Sequence, residues 1–191
     1  MVEKHGHKHH GKTSRQILNA DDVINATGLQ KGNTFLDAGC GDGYISIEAS
    51  KIVGSGGVVY ALDVYPESID KVKAEVQNQN LNNLNPILAD ITESIPVDEN
   101  SVDLVLMANV LHGFVEEDEV DVVMKNISKV IKPGGIFSVV EFRKVESENG
   151  PPYNVRLSPS DVADILQRYG FDLIDSVEIG TYHYIVNGKK V

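Results

Sequence analysis

The feature that most constrains the fold of this chain is the regular alternation of short, β-rich apolar runs with longer segments of helical periodicity. The apolar runs cover residues 34–38, 58–64, 86–89, 102–108 and 136–142. The helical patterns cover residues 44–53, 67–80, 117–131 and 158–170. Repeated strand–helix units need right-handed crossovers, which arrange the strands in one doubly wound parallel sheet with helices on both faces. In such a sheet, ligands bind at the carboxyl ends of the strands.

The C-terminal part of the chain departs from this alternation. Residues 171–179 and 182–186 are strand-like and are joined by Gly180 and Thr181, a pattern that predicts an antiparallel hairpin at one edge of the sheet. The expectation is therefore an α/β fold with a mostly parallel, seven-stranded sheet and a C-terminal edge hairpin. We expect a flexible His- and Lys-rich tail over residues 1–15 and a single domain over residues 16–191.

Composition and charge exclude several classes of protein. No apolar run approaches the roughly 18 residues that a membrane-spanning helix needs, and residues 1–12 lack the apolar segment of a secretory signal. The single cysteine, Cys40, excludes an internal disulfide. These observations predict a soluble, cytoplasmic protein without a membrane span. The net charge of −11 opposes binding to phosphate backbones, so we expect no nucleic-acid partner.

A glycine-rich loop joins the first predicted strand to the helix that follows it. The loop runs Gly39-Cys40-Gly41-Asp42-Gly43. Glycines allow a sharp turn and a close approach of a ligand to the main chain, and the helix N-terminus adds unpaired N–H groups. The next strand ends in Asp63, 20 positions after Gly43, where a carboxylate can accept both hydroxyls of a ribose. Together these features predict a nucleoside-containing cofactor across the tips of the first two strands.

Two details of the loop bear on which nucleoside it binds. A dinucleotide fingerprint needs a third glycine where this chain has Tyr44. The strand also places a carboxylate, Asp37, directly before the glycines, and this charge favours a cationic ligand over a pyrophosphate. A nicotinamide-dependent oxidoreductase is thus the disfavoured alternative, because it shares the sheet and the role of Asp63 but not these details.

The segment from Phe35 to Gly43 resembles motif I of the class I S-adenosylmethionine-dependent methyltransferases. The resemblance continues through residues 102–112 and through the Lys132-Pro133-Gly134-Gly135 turn. The chain is most similar to the small-molecule branch that includes the ubiquinone and menaquinone biosynthesis C-methyltransferases. The resemblance implies S-adenosylmethionine as the methyl donor, S-adenosylhomocysteine as its product and a small-molecule acceptor as the partner.

The same resemblance assigns the cofactor-binding residues. It implies that Asp63 binds the ribose, that Asp90 binds the adenine amino group, and that Val64 and Ile91 enclose the adenine ring. The remaining cofactor-binding residues that we predict are Asp37, Gly39, Cys40, Gly41, Tyr44 and Asn109. Cys40 is interpreted as a small residue that fits the turn, not as a nucleophile.

The acceptor side is less defined by the sequence. His112 follows the fourth strand, where its imidazole could remove a proton from an acceptor or could only shape the site. Arg143, Tyr153 and Arg156 flank a Gly-Pro-Pro loop at residues 150–152 that could cover the acceptor or be plain surface. We expect a leading helix over residues 14–26 to close over the donor. A non-catalytic donor-binding module and a homodimer both stay open.

Metal binding is not expected to be functional. The tail contains several histidines but has no apolar residues that would fix a ligand geometry, so adventitious binding is the favoured interpretation. These residues are His5, His7, His9 and His10.

Overall fold

A computed structural model describes Arg15 and residues 17–191 of the chain. Its seven strands form one sheet in the order β3-β2-β1-β4-β5-β7-β6. Strands β1 to β5 pair in parallel, and β7 is antiparallel to both of its neighbours. The strands are β1 (Thr34–Ala38), β2 (Val58–Asp63), β3 (Leu84–Leu88), β4 (Val102–Ala108), β5 (Ile131–Phe142), β6 (Phe171–Ile179) and β7 (His183–Lys190). The predicted fold class is confirmed, with β7 inserted between β5 and the edge strand β6.

Helices cover both faces of the sheet. They are α1 (Ala20–Thr27), α2 (Tyr44–Val53), α3 (Pro66–Gln79), α4 (Leu111–Glu116), α5 (Val120–Val130) and α6 (Pro159–Arg168). Buried side chains of α1, α2 and α3 pack in one apolar cluster, and those of α4, α5 and α6 pack in another. Successive side chains of the central strands point to opposite faces of the sheet, so that in β1 Phe35 packs in the first cluster and Leu36 in the second. Burial of such side chains stabilises the fold by about 1.5–3 kcal/mol each.

The predicted helix over residues 117–131 corresponds to α5, which is shorter (Val120–Val130), and a separate helix α4 that the sequence analysis does not predict precedes it. The helix α4 ends at Glu116, Asp118 adopts a left-handed φ of 59°, and α5 begins at Val120. The consecutive acidic residues Glu117, Asp118 and Glu119 therefore lie between the two helices, and Asp121 occupies the first turn of α5.

Capping residues set the first residue of two helices, α1 and α6. The leading helix begins at Ala20 instead of residue 14, because Asn19 caps it by accepting the Asp22 backbone N–H at 3.1 Å. At α6, Ser158 and Asp161 form the reciprocal bonds of a capping box, with Pro159 in the first turn. The predicted start of this helix is thus correct.

The histidines of the tail lie outside the described residues. Within Arg15 and residues 17–191, no helix is both long and apolar enough to cross a lipid bilayer. The same residues contain no cluster of three or more potential metal ligands.

A buried histidine at the start of β7 predicts acid sensitivity. His183 is fully buried, both of its ring nitrogens lack hydrogen-bond partners among the described residues, and its ring packs 4.1 Å from that of Phe142. Burial, assisted by the charge of Arg156, lowers its pKa from 6.5 to about 4. The unfolded chain therefore binds the proton first. The contribution of neutral His183 to the free energy of unfolding is fully present above about pH 6.5 and decreases by about 3 kcal/mol as the pH falls to 4.

The measurement is urea denaturation at pH 7.5 and pH 5. The variant His183→Phe should lose less stability between these two values than the parent protein. Equal losses in both proteins would contradict the assignment of this acid sensitivity to His183.

Candidate active site

A cleft of about 610 Å³ opens at the carboxyl ends of β1, β2 and β4. It lies where the sheet order reverses between β1 and β4, the position at which doubly wound sheets bind ligands. All the predicted site residues line this one cleft: Asp37, Gly39, Cys40, Gly41, Tyr44, Asp63, Val64, Asp90, Ile91, Asn109 and His112.

The glycine loop is held against the end of β2. The backbone N–H groups of Gly39 and Cys40 both donate to the Leu62 carbonyl, at 2.8 and 2.9 Å. Gly39 has a φ of 85°, and a Cβ there would lie 2.7 Å from a methyl group of Val110. Only glycine fits this position without strain, so the first glycine of the motif is fixed by the fold itself.

Asp63 has a structural role that its spacing in the sequence does not reveal. Its side chain is 7% exposed. One carboxylate oxygen accepts the Gly41 backbone N–H at 2.9 Å, and the other accepts the Tyr65 backbone N–H at 2.9 Å. Each carboxylate oxygen has two lone pairs. Asp63 can therefore brace the glycine loop and still accept hydroxyl groups from a ligand.

Asp37 is a buried acid directly beneath the loop. It is 1% exposed and accepts the Ser46 hydroxyl at 2.6 Å. Burial raises its pKa to about 7, against the lowering effect of Ser46 and with the added repulsion of Asp63 and Asp42. Burial next to these carboxylates also raises the pKa of the Cys40 thiol. A buried, protonated thiol is a poor nucleophile, which agrees with the predicted structural role of Cys40.

The N-terminal segment covers one side of the loop. The Arg15 guanidinium lies 4.8 Å above the Tyr44 ring and 3.0 Å from the Asp42 carboxylate. The Tyr44 hydroxyl accepts the Ala20 backbone N–H at 3.3 Å, and Ile17 lines the cleft. The sequence analysis places Asp42 in the glycine loop and residues 15 and 17 in the leading segment, but it does not predict the contacts of Arg15 with Asp42 and Tyr44, because these contacts connect distant parts of the chain.

The end of β3 contributes the third acidic residue. Asp90 accepts the Thr92 backbone N–H at 2.9 Å and the Thr92 hydroxyl at 2.7 Å through the same oxygen. This local turn fixes the Asp90 carboxylate beside Val64 and Ile91 at the rim of the cleft. The position is compatible with the predicted role toward an adenine ring.

His112 is paired with a carboxylate that the sequence analysis missed. The Glu141 side chain is 1% exposed on β5. One of its oxygens lies 2.8 Å from His112 Nδ1, and the other accepts the His112 backbone N–H at 3.0 Å. Burial would lower the pKa of His112, but the hydrogen bond and charge of Glu141 outweigh it, so the pKa is raised. A charged residue within a buried apolar strand is costly unless partnered, which is the sequence signal that could have indicated Glu141.

Asn109 follows β4 and lines the cleft. It has a left-handed φ of 59°, and its side-chain oxygen is buried without a hydrogen-bond partner among the described residues. An unpaired buried oxygen is costly. A ligand that donates a hydrogen bond in the cleft would remove this cost.

The far half of the cleft combines two aromatic side chains with a loop that contains both polar and apolar residues. Phe114, Phe142 and the loop residues 148–151 form its walls. Of the residues that the sequence placed at this loop, Arg143 and Tyr153 do not line the cleft, and Arg156 is buried behind Phe142.

The fold and the site together define a class I, Rossmann-like methyltransferase. The chain matches the family described as "Methyltransferase domain" over residues 29–168 and belongs to this family. The predicted resemblance and the predicted cofactor class, S-adenosylmethionine, are confirmed at this level. The comparisons give no support to a nicotinamide-dependent oxidoreductase.

Individual relatives agree with this assignment. The chain is 30% identical over 123 residues to the ubiquinone/menaquinone biosynthesis C-methyltransferase UbiE of Haemophilus ducreyi, covering 64% of this chain and 46% of the relative. It is 32% identical over 120 residues to the demethylmenaquinone methyltransferase of Oceanobacillus iheyensis, covering 63% and 49%. The chain thus spans about half the length of these relatives. A SAM-dependent methyltransferase from Aquifex aeolicus superposes with a TM-score of 0.84 at 30% identity, covering 94% of each chain.

Proposed function

We propose that this protein transfers the methyl group of S-adenosylmethionine to a small-molecule acceptor that binds between His112 and residues 148–151. The observation that supports the proposal is that two sets of residues line one continuous cleft. A glycine loop with its acidic residues forms one half, and a His–Glu pair with aromatic walls forms the other.

The donor half suits a cationic nucleoside. Asp63 would bind the ribose hydroxyls, Asp90 the adenine amino group, and Val64 and Ile91 would enclose the ring. When bound, the sulfonium supplies an electrophilic methyl carbon. The buried carboxyl of Asp37 adds negative potential nearby, which favours a cation over a pyrophosphate.

The acceptor half supplies a base. Because Glu141 binds Nδ1 of His112, Nε2 is the ring nitrogen that would take a proton from the acceptor. The acceptor atom forms its bond to the methyl carbon as the sulfur–carbon bond breaks, and the acceptor's proton passes to Nε2. An O–H, N–H or C–H acceptor needs such a base, whereas a thiolate does not.

A transfer assay tests the proposal. Protein is incubated with methyl-labelled S-adenosylmethionine and, separately, with catechol, 1,4-dihydroxynaphthalene and dithiothreitol, and the label in the extracted acceptor is counted. We expect transfer to an O–H or C–H acceptor that depends on His112. Tight binding of S-adenosylhomocysteine without transfer to any of these would favour the non-catalytic donor-binding module.

Donor binding should depend on pH through Asp37. With a pKa of about 7, this carboxyl is mostly protonated at pH 6, and a cationic donor favours its ionised form. Binding below pH 7 therefore releases a proton, and affinity should rise about tenfold between pH 6 and pH 8.

Calorimetry in buffers of different ionisation enthalpy measures the proton released by Asp37. The isosteric variant Asp37→Asn should bind without proton release and with a flatter pH dependence. Equal proton release by both proteins would contradict the role of Asp37.

The partners and the cellular compartment of the protein are predicted from composition and charge, whereas its oligomeric state stays open. The net charge of −11 supports the expectation of no nucleic-acid partner, and the single cysteine supports a reducing, cytoplasmic compartment. Light scattering coupled to gel filtration would decide whether the protein forms a homodimer.

A further inference from the structure

We propose that Arg156 is a positioning residue for the acceptor. It fixes residues 143–151, here called the acceptor loop, as the outer wall of the cleft. This inference rests on the proposed function, because it concerns the half of the cleft assigned to the acceptor.

The guanidinium of Arg156 donates its side-chain hydrogen bonds to residues of the acceptor loop. Nε donates to the Pro151 carbonyl at 2.9 Å, Nη1 donates to the carbonyls of Arg143 and Val145 at 3.1 and 2.5 Å, and Nη2 donates to the Ser147 hydroxyl and Asn149 carbonyl at 2.9 and 3.0 Å. These contacts engage all the N–H directions of a guanidinium. One side chain thus defines the path of the whole loop.

The environment of Arg156 shows that it is not an ordinary surface cation. The residue is 4% exposed, and in the described part of the chain it forms no ion pair. A buried charge is costly unless its hydrogen bonds are satisfied. Here loop carbonyls supply the compensation, so the loop and the cation depend on each other.

The loop is also fitted to an aromatic wall of the cleft. The Arg156 guanidinium lies 5.3 Å from the Phe142 ring centroid, within the range of a cation–π contact. A Cβ added at Gly150 would lie 2.6 Å from the Phe142 ring. Because Phe142, Gly150 and Pro151 all line the cleft, the position of the loop sets the width of the acceptor half.

Arg156 is itself anchored to the sheet. The next residue, Leu157, is 7% exposed, and its carbonyl accepts the hydroxyl of the buried Tyr184 of β7 at 2.9 Å. The cation therefore connects the sheet to the acceptor loop, which contains no helix or strand of its own.

The donor half has separate supports. Its glycine loop is hydrogen-bonded to Leu62 and Asp63, and none of the contacts of Arg156 described above involves those residues. A positioning role for Arg156 therefore predicts an effect on the acceptor alone, whereas a general structural role predicts damage to both halves.

The experiment compares Arg156→Met, which keeps the length and removes the donors, with Arg156→Lys, which keeps the charge. The acceptor is the compound most rapidly methylated in the transfer assay. For Arg156→Met we expect KM for the acceptor to rise at least about tenfold with a smaller change in kcat, and amide exchange of residues 143–151 to accelerate about tenfold or more. Affinity for S-adenosylhomocysteine should stay within about twofold. Arg156→Lys should recover part of the loss.

A second pair of variants guards against misfolding at Arg156. Gly150→Ala should displace the loop from Phe142 and raise the acceptor KM in the same way. The matched control is Gly170→Ala, which imposes a similar backbone strain at a φ of 83° but meets no atom within 4 Å, and it should leave the acceptor KM unchanged.

The outcomes are decisive in either direction. The inference would be overturned if amide exchange of residues 143–151 in Arg156→Met proceeded at the wild-type rate. It would also be overturned if this variant lost affinity for S-adenosylhomocysteine in parallel. If no acceptor is methylated by the parent protein, the proposed function fails, while the exchange and binding measurements still decide whether Arg156 orders the loop independently of the donor half.

Discussion

Replacement of Asp63 by alanine is expected to weaken binding of S-adenosylhomocysteine by at least about 100-fold. Two hydrogen bonds from ribose hydroxyls to a carboxylate contribute together about 3 kcal/mol, which corresponds to this factor. The variant also removes the acceptors of the Gly41 and Tyr65 backbone N–H groups. The glycine loop should therefore loosen as well, which adds to the loss. Isothermal calorimetry measures the affinity, and amide exchange at residues 39–43 measures the loop.

Two further variants make the Asp63 result specific. Asp63→Asn keeps the size of the side chain but presents an amide N–H₂ to one of two backbone donors, so its affinity should be nearly as low. Asp70→Ala removes a carboxylate that is exposed on α3 and paired with Lys73, and it should bind normally. An Asp63→Ala protein with unchanged affinity would refute the ribose assignment.

Replacement of His112 by glutamine is expected to lower kcat by about 100- to 10,000-fold, the usual contribution of a positioned acid or base. Binding of S-adenosylhomocysteine should change little, because the donor half is built from other residues. The pH profile gives a second test. A base must be unprotonated, and the pKa of His112 is raised above the ordinary histidine value of 6.5. The activity of the parent protein should therefore still increase as the pH rises above 6.5.

Glu141→Gln separates the charge of the pair from its shape. Glutamine keeps an oxygen that can accept the His112 backbone N–H, but it removes the negative charge that raises the pKa of His112. The inflection of the rate profile should therefore move to lower pH. A His112→Gln protein with normal kcat would exclude His112 as the base and leave it a role in shaping the site.

The donor half was predictable because each of its polar residues lies at the end of a strand or directly after it. Gly39 to Gly43 form one loop after β1, Asp63 ends β2 and Asp90 follows β3, so the topology of the sheet alone brings them together. The sequence pattern needed only the order of the elements to place them at one edge.

The acceptor half depends on contacts that no local pattern contains. Glu141 meets His112 because β4 and β5 pair in one particular register, and that register includes an irregularity between Val102 and Leu104. Arg156 lies in a polar segment, where burial is unexpected. Its role became evident only from the carbonyl groups that surround it. A single sequence therefore identifies the cofactor more readily than the acceptor.

The proposed ribose contact and the observed bracing of the glycine loop fall on the same side chain, Asp63, which limits how the donor site could be re-engineered. A side chain that builds the loop cannot be exchanged freely to admit a different sugar, because the pocket would be dismantled together with the old specificity. Designers who seek altered donor analogues should leave position 63 unchanged and instead enlarge the apolar walls at Val64 and Ile91, which make no polar contact with the glycine loop.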